Sequence, residues 1–472
     1  MASLNQAWNL ATGALSADQA AISVVAGNIA NANTPGYTTE RPQWGTADIV
    51  TIGRQTQAAG VRLQSVASQR DRVLNQRIDQ QAQDQSATAT RLAALNDLQS
   101  LFSGAIAASG GSSGSVADIG QQVTAFLQSF SSLAADPSNP SLRTGVLTAA
   151  QGLAGTFNQV SRSLDQQRSG LEATIASSVT QVNSLTTDIA NLNAKISSVS
   201  PMGDAGALED QRQYDLQQLS QLIGIHQITN ENNSLTITTS SGAVLVAGDQ
   251  NASLETSSSG GVTHLLIGGV DQTAALTNAG GQIGGALEAR DSDIPDALKD
   301  IDQMAWDIGS AVNAQQAIGV DANGAAGSPI FALGSGVTGA AGAISVVLSD
   351  PAGIAASASG AGSQDGSNAR AIAALASAAT VSGQTPVAFY AALVGNIGAK
   401  VSEATTTQAS QSASLSQLQS QQSALSSVNM NDQAVLLQTY EQSYQAASKV
   451  FTILNSVFSS AINLGTETAV SA

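Results

Sequence analysis

The chain has 472 residues, 42% of them hydrophobic and only 11% charged, with 17 basic against 34 acidic residues and a formal net charge of −17. That balance excludes a broad nucleic-acid surface, which needs clustered Lys and Arg to neutralise phosphates. With no cysteine and two histidines, disulfides, thiolate metal sites and thiol nucleophiles are excluded as well, and no catalytic, cofactor or metal residues are expected.

From the N-terminus, Leu4, Trp8, Ala11, Leu15, Asp18, Ile22, Val25 and Ile29 recur at steps of three and four, which predicts an amphipathic helix broken only at Asp18. The first basic residue is Arg41, so no positive n-region precedes the apolar stretch and a cleaved secretory signal is not expected. The run Asn28-Ile-Ala-Asn31-Ala-Asn33-Thr34-Pro35-Gly36-Tyr37 then predicts a helix stop. Pro-Gly demands a turn, the following proline pushes Thr34 to extended geometry, and asparagines can hydrogen-bond the exposed helix end. Leu74, Ile78, Gln81, Gln85, Thr88, Leu92, Leu95, Gln99 and Phe102 form a second seam with a polar centre. Seven of the 13 arginines fall between Arg41 and Arg91, which in so acidic a chain reads as a solvated or intersubunit surface.

Leu171, Ile175, Ser178, Val182, Leu185, Ile189, Leu192, Ile196 and Val199 make a heptad seam and predict a long coiled-coil-like helix. From Ile225 to Val270 the pattern changes to alternation rich in Thr, Ser, Gly and β-branched residues, as in Ser234-Leu-Thr-Ile-Thr-Thr and Val262-Thr-His-Leu-Leu-Ile. Turn clusters at Asn230 to Asn233, Ser240 to Gly242 and Gly248 to Asn251 are spaced for hairpins, so a small β domain is inserted in a helical stalk. His226 and His264 sit in this text without the context of a catalytic base. Gly280-Gly-Gln-Ile-Gly284-Gly285 lacks the strand-then-helix frame of a dinucleotide site and reads as a hinge back into the stalk. Asp321-Ala-Asn323-Gly324 reads as a turn, because a calcium loop would place Gly and Glu where Ala326 and Ala332 stand. The Gly, Ala and Ser-rich stretch 324–366 holds one strand-like run, Ile344 to Leu348, and reads as a hairpin or loose loop.

Tyr390, Val394, Ile397, Val401, Ala404, Gln408, Gln411, Leu415, Leu418, Gln422 and Leu425 form a third helical seam, and the three are expected to lie side by side with their glutamine layers in contact. Leu436, Tyr440, Ser443, Ala447, Val450, Leu454, Val457, Ala461 and Leu464 predict a C-terminal amphipathic helix. Leu437, Tyr444, Phe451 and Phe458 form a second stripe beside that seam, so this helix has more than one face to bury, which implies partners. The neighbourhood of Trp8, or the Phe451 and Phe458 stripe, is expected to be left for other subunits. The most continuous apolar run, Ala371 to Val381, is far short of the ~20 residues that span a bilayer, so no membrane anchor is expected.

The run from Asn28 to Tyr37 resembles the N-terminal signature of the axial proteins of the bacterial flagellum, shared by rod, hook and junction proteins. The run from Val428 to Val450, with Tyr444 and Lys449-Val450 in place, is similar to that family's C-terminal helix. Gly284-Gly-Ala-Leu-Glu-Ala-Arg290-Asp291, Ile294-Pro295, Leu298 to Asn313 and Gly319 to Gly324 resemble the family of the first hook-associated protein, over the ends and about Gly280 to Ala356. The resemblance implies a structural adaptor, not an enzyme. Such subunits self-assemble into a ring at the distal end of the hook, between the hook protein and the second junction protein. It further implies export without a cleaved signal peptide by the flagellar type III export apparatus, an export chaperone for the C-terminal helix, and an extracellular location. Leu436, Tyr440, Tyr444, Lys449, Val450 and Phe451 are the expected assembly and chaperone contacts. Asn28, Asn31, Asn33, Thr34, Pro35, Gly36 and Tyr37 are the expected axial motif. A hook or rod protein, or a secreted wall-acting enzyme, are the competing readings.

The expected architecture is mainly α with an inserted β domain: an elongated antiparallel coiled-coil-like stalk with terminal helices paired from both chain ends. The expected divisions are a terminal helical domain (1–60 with 429–472), a helical stalk (61–224 with 285–323 and 367–428), a β domain (225–284) and the hairpin or loop region 324–366.

Overall fold

The computed structural model describes residues 2–46, 49–52, 55–58, 60–102, 118–199, 205–259, 262–362 and 364–470. The side chains of Leu4, Ala461 and Leu464, three of the expected seam positions, lie outside the described residues. The chain opens with helix α1 (Ala2–Ala30) and continues into nested antiparallel hairpins, β1 (Glu40–Thr46) with β4 (Val61–Ser68) and β2 (Ile49–Ile52) with β3 (Gln55–Ala58). Helices α2 (Arg72–Phe102), α3 (Ile119–Ala135), α4 (Pro140–Val199) and α5 (Gly206–Leu222) follow.

The inserted β unit holds the meander β5 (Ile225–Thr229), β6 (Leu235–Thr239), β7 (Val244–Ala247) and β8 (Gln250–Asn251). A second meander follows, β9 (Leu254–Ser259), β10 (Val262–Ile267) and β11 (Val270–Asp271). The chain returns through α6 (Thr273–Thr277), α7 (Gly281–Glu288), a π-turn at Ala289–Asp293 and α8 (Ile294–Ile318). Short pairs then alternate with helix: β12 (Gly319–Val320), β13 (Phe331–Ala332), α9 (Ala340–Ala343), β14 (Ser345–Val346), β15 (Ser357–Ala358) and α10 (Ser367–Ala374). Helices α11 (Pro386–Ser426) and α12 (Met430–Val470) close it.

Helix α4 is the spine. Its 60 residues span about 90 Å at ~1.5 Å per residue, and its two halves serve two cores. The first half buries Val146, Leu153, Phe157 and Leu164 against α3, α8 and the first turns of α11. The second half buries Ile175, Val182 and Ile189 against α5, α7 and the strands of the β unit. The expected heptad seam is therefore buried, but much of it is covered by the β unit and by α5 and α7. Of the three seams expected side by side, those of α2 and α11 pair along their length, and their polar layers do meet there. Gln422 donates to Asn75 at 2.8 Å and Ser414 to Gln81 at 3.2 Å.

The β unit is fastened by helix amides. Asn193 of α4 accepts from the Leu235 N–H and donates to the Leu235 carbonyl at 3.0 and 2.9 Å. Asn183 brackets Leu254 in the same way, and Gln83 of α2 brackets Ile225. Each amide completes a buried strand residue's donor and acceptor without a charge, which suits a chain this poor in ionic groups. The glycine run 280–285 makes a close contact rather than only a hinge: a Cβ on Gly285 would sit 2.1 Å from the Ala87 carbonyl of α2. Arg290, 1% exposed, locks the return by pairing with Glu172 of α4 and Asp291 and by donating to the Thr263 carbonyl of β10.

One expectation is narrowed and one corrected. In the stretch 324–366, expected as a hairpin or a loose loop, β13 pairs antiparallel with β14, and Phe331, Ala340, Ile344 and Ile354 lie in the first core. The segment following α1 holds the β1 to β4 arm, where a helical domain 1–60 was expected. Strands β1 and β4 are exposed or half-buried along their length with little difference between their two faces, so they carry little period-two signal. At Asp321 the carboxylate accepts from the N–H groups of Asn323 and Ala325, which is a turn.

Candidate assembly interface

The two ends of the chain meet. Helices α1 and α12 run antiparallel, with Asn28 opposite Gln433 at one end and Trp8 opposite Phe451 and Phe458 at the other. The Trp8 ring lies 4.5 Å from Phe451 and 6.2 Å from Phe458, tilted on both, within the range where aromatic pairs add to simple burial. The α1 side contributes the buried residues Ala11, Ala17, Ala21 and Val25, small enough for close approach. The β1 and β4 strands pack on α1 as well. Asp18 keeps one carboxylate oxygen buried without a hydrogen-bond partner.

The inward stripe of α12 is Gln433, Leu437, Tyr440, Ala447, Phe451, Leu454 and Phe458, all buried or half-buried. This corrects the expected assignment of its two apolar stripes. The Phe451 and Phe458 stripe and the neighbourhood of Trp8, one or other of which was expected to be left for other subunits, pack on each other. Leu436, Val450 and Val457, expected in the inner seam, face outward at 37%, 51% and 47% exposure. Val435 and Ile453 extend this outward stripe at 64% and 61%. Of the expected contact residues, Leu436, Tyr444, Lys449 and Val450 are therefore exposed, and Tyr440 and Phe451 lie half-buried in the helix pair.

The N-terminal motif divides into two parts. Thr34-Pro35-Gly36-Tyr37 is a turn closed by Tyr37 N–H donating to the Thr34 carbonyl, with Gly36 at φ +80°, the conformation that the second central position of such a turn requires. Asn33 to Gly36 form its exposed tip, and Asn31 caps α1 by donating to the Gly27 carbonyl at 3.0 Å. Asn28 goes inward, 1% exposed. Its amide donates to the Glu40 carbonyl (2.9 Å) and to Gln433 Oε1 (3.0 Å). Its oxygen accepts from the Glu40 N–H and the Tyr37 hydroxyl, both at 2.9 Å. Asn28 thus joins α1, the turn, β1 and α12. Burial, reinforced by the Glu40 and Asp210 carboxylates, pushes the Tyr37 hydroxyl up to about 12, so it remains a donor.

Beside it lies a joint that the sequence reading missed. Thr38 donates from N–H and hydroxyl to Asp210 of α5 at 2.9 and 2.6 Å, and Thr39 donates from both to the Ser426 carbonyl at the end of α11. Ser426 in turn donates to the Gln69 carbonyl, and Gln69 N–H to Thr39. Arg70 completes the joint through Glu209 and Asp210. The one available signal was the pair of hydroxyls after Tyr37, which ordinary turn chemistry already accounts for.

The chain is similar to known proteins. The family model for the flagellar hook-associated protein FlgK helical domain matches residues 111–331, and that for the flagella basal body rod protein matches residues 9–38, which span the N-terminal motif. Flagellar hook-associated protein 1 of Bacillus subtilis is 27% identical over 95% of this chain and 96% of its own length. Its Salmonella typhimurium counterpart is 28% identical over 70% of this chain, which spans 60% of that relative. The flagellar hook junction protein FlgK from Burkholderia pseudomallei shares the fold, with a TM-score of 0.65 at 18% identity over 74% of this chain and 100% of that one. With a rod-protein match over the N-terminal motif, a helical-domain match through the middle and a likeness running almost the full length of the relative from Bacillus, the chain is similar to the flagellar hook-associated protein 1 family over most of its length.

Proposed function

We propose that the chain is a structural adaptor of the flagellar hook–filament junction, one subunit of a ring at the distal hook end on which the second junction protein and the filament assemble. The observation that carries this reading is the outward stripe Val435, Leu436, Val450, Ile453 and Val457 on a helix whose other face is closed by α1. Large apolar side chains left exposed along one helix face are costly in water and are relieved by packing against neighbours. A ring supplies such neighbours, and the low charge and small side chains of α1 suit close packing in a tube wall.

The partners under this reading are further copies of the chain, the hook protein and the second junction protein. Before assembly, a cytosolic export chaperone covers the C-terminal helix, and the type III export apparatus passes the chain out of the cell to the flagellum. Among the described residues the hydrogen bonds and ion pairs that tie the terminal pair to the body centre on the joint at Thr38 to Arg70 and Ser426, so the pair opens at less cost than the two cores and folds finally on burial in the wall. The adaptor role needs no chemistry beyond packing. Truncation after Val428 tests the whole reading: the remaining chain should stay folded and soluble but bind no chaperone and join no junction. A truncated chain that still does both refutes the proposal, and so does immunolabelling that finds the full chain along the hook rather than in one short band.

A further inference from the structure

Arg70, Arg72 and Arg212 line one cavity of about 110 Å³ between the start of α2, helix α5 and strands β5 and β6, with Glu209, Gln76 and Thr229. Three of the chain's 13 arginines thus converge in a molecule of net charge −17. Their compensation is incomplete. Arg70 and Arg72 share the same Glu209 oxygen, and Arg70 also pairs with Asp210. Arg212, 5% exposed, donates to the Asn193 side chain and the Asn233 carbonyl, both neutral, at 2.8 Å. Arg70 Nε is buried with no hydrogen-bond partner. Burial, with Arg70 and Arg72 adding repulsion, holds the Arg212 guanidinium down to about 10, against the opposing pull of Glu209.

A buried cation without a full anionic partner is unfavourable, and a planar guanidinium is suited to bidentate oxyanion recognition. We propose that this cavity is a receptor for one small oxyanion, either phosphate from solution or a carboxylate side chain from an adjoining copy of the chain. The volume holds several waters and hence one tetrahedral or carboxylate group, and it is too small for a nucleotide. The 34 acidic residues of each copy supply the second source in abundance. Binding of the free ion does not depend on the junction assignment, whereas the neighbour's carboxylate rests on it; the cavity lies beside the joint, between α2, α5 and the β unit.

The test is thermal unfolding of the full chain in potassium phosphate against potassium chloride at matched ionic strength, for wild type and Arg72→Gln. The Arg72 side chain is 57% exposed, so its loss leaves the fold intact. The expected result is a saturable phosphate-specific rise in the wild-type midpoint, equivalent to about an elevenfold gain in the folding equilibrium constant at ten times the dissociation constant. Arg72→Gln should lose it and Arg72→Lys should keep part of it. The variant also removes the general salting effect of phosphate, which acts on both chains alike. Half-saturation at millimolar phosphate assigns the free ion. Half-saturation only far above that, with Arg72→Glu reducing the chain's recovery in assembled junctions, assigns the neighbour's carboxylate, which is presented at high effective concentration. No phosphate-specific rise, or an equal rise in Arg72→Gln, overturns the proposal.

Discussion

Replacing Asn28 by alanine is the most direct test of the joint between the chain ends. The side chain makes four hydrogen bonds of 2.9 to 3.0 Å and is 1% exposed. At a net contribution of about 1 kcal/mol each, with some recovery from water entering the vacated space, the loss should be about 2–4 kcal/mol. The loss is local, because the terminal pair can open while both cores stay closed, so hydrogen exchange is the suitable assay. Amide protection at the start of α12, around Gln433 to Leu437, should fall by roughly thirty- to several-hundred-fold, since each 1.4 kcal/mol is a factor of ten. Protection in α3 and the first half of α4 should not change. Asn28→Asp keeps the size but replaces the donor by a charge facing the Glu40 carbonyl, and should be at least as damaging. If Asn28→Ala leaves α12 protection within threefold of wild type, the side chain does not hold the ends together and the account of the motif is wrong.

Further outcomes follow from the packing and the charges. Val450→Asp should leave the melting of the isolated chain unchanged within about 0.5 kcal/mol and block junction assembly, whereas Phe451→Ala should loosen the α1 and α12 pair by about 1–2 kcal/mol; thermal melts and recovery in assembled junctions separate the two. Gly285→Ala should destabilise the contact of α2 and α7 by about 1–3 kcal/mol through its clash with Ala87, while Gly155→Ala, with nothing within 4 Å on exposed α4, should stabilise by about 0.5–1 kcal/mol in urea titrations. Burial pushes the Asp79 carboxyl up to about 7 against weaker lowering by Gln213 and Gln227. The folded state therefore holds this proton more tightly than the unfolded chain, so the Asp79 contribution declines as pH rises from about 4 to about 7 and is flat above, with a ceiling of about 4 kcal/mol. Asp79→Asn should remove that decline and be the more stable protein at pH 8; a wild-type-like slope in the variant counts against the reading.

The helical seams of α2, α4 and α11 were legible because each is long enough for its period to stand out, and the β unit because its turns carry asparagine and glycine where left-handed geometry occurs, at Asn233, Gly242 and Gly248. What covers each seam was not legible. A heptad such as that from Ile175 to Ile196 states that one face is buried and leaves open whether a helix or a sheet lies on it. On α12 two apolar stripes lie side by side, and the choice between them is made by Trp8, some 440 residues away in the chain. The amides that fasten strands to helices were hidden for a related reason. Asn183, Asn193 and Gln83 read as solvent-facing helix residues until the strand that needs their donor and acceptor is in place. The same holds for Asn28, whose position at a helix end suggested a cap and whose partners belong to β1 and α12.

The joint has a mechanical side. The chain passes between the terminal pair and the body twice, once near Gln69 and once near Ser427, and the two passages are cross-linked through Thr39, Ser426 and Gln69. A single covalent crossing would leave the terminal pair free to swivel about one backbone bond. Two crossings held side by side convert any such rotation into shear of the hydrogen bonds between them, so the joint resists twisting even though few apolar contacts span it. Under the proposed adaptor role, a subunit built this way would pass torque between its terminal helix pair and its body through these hydrogen bonds.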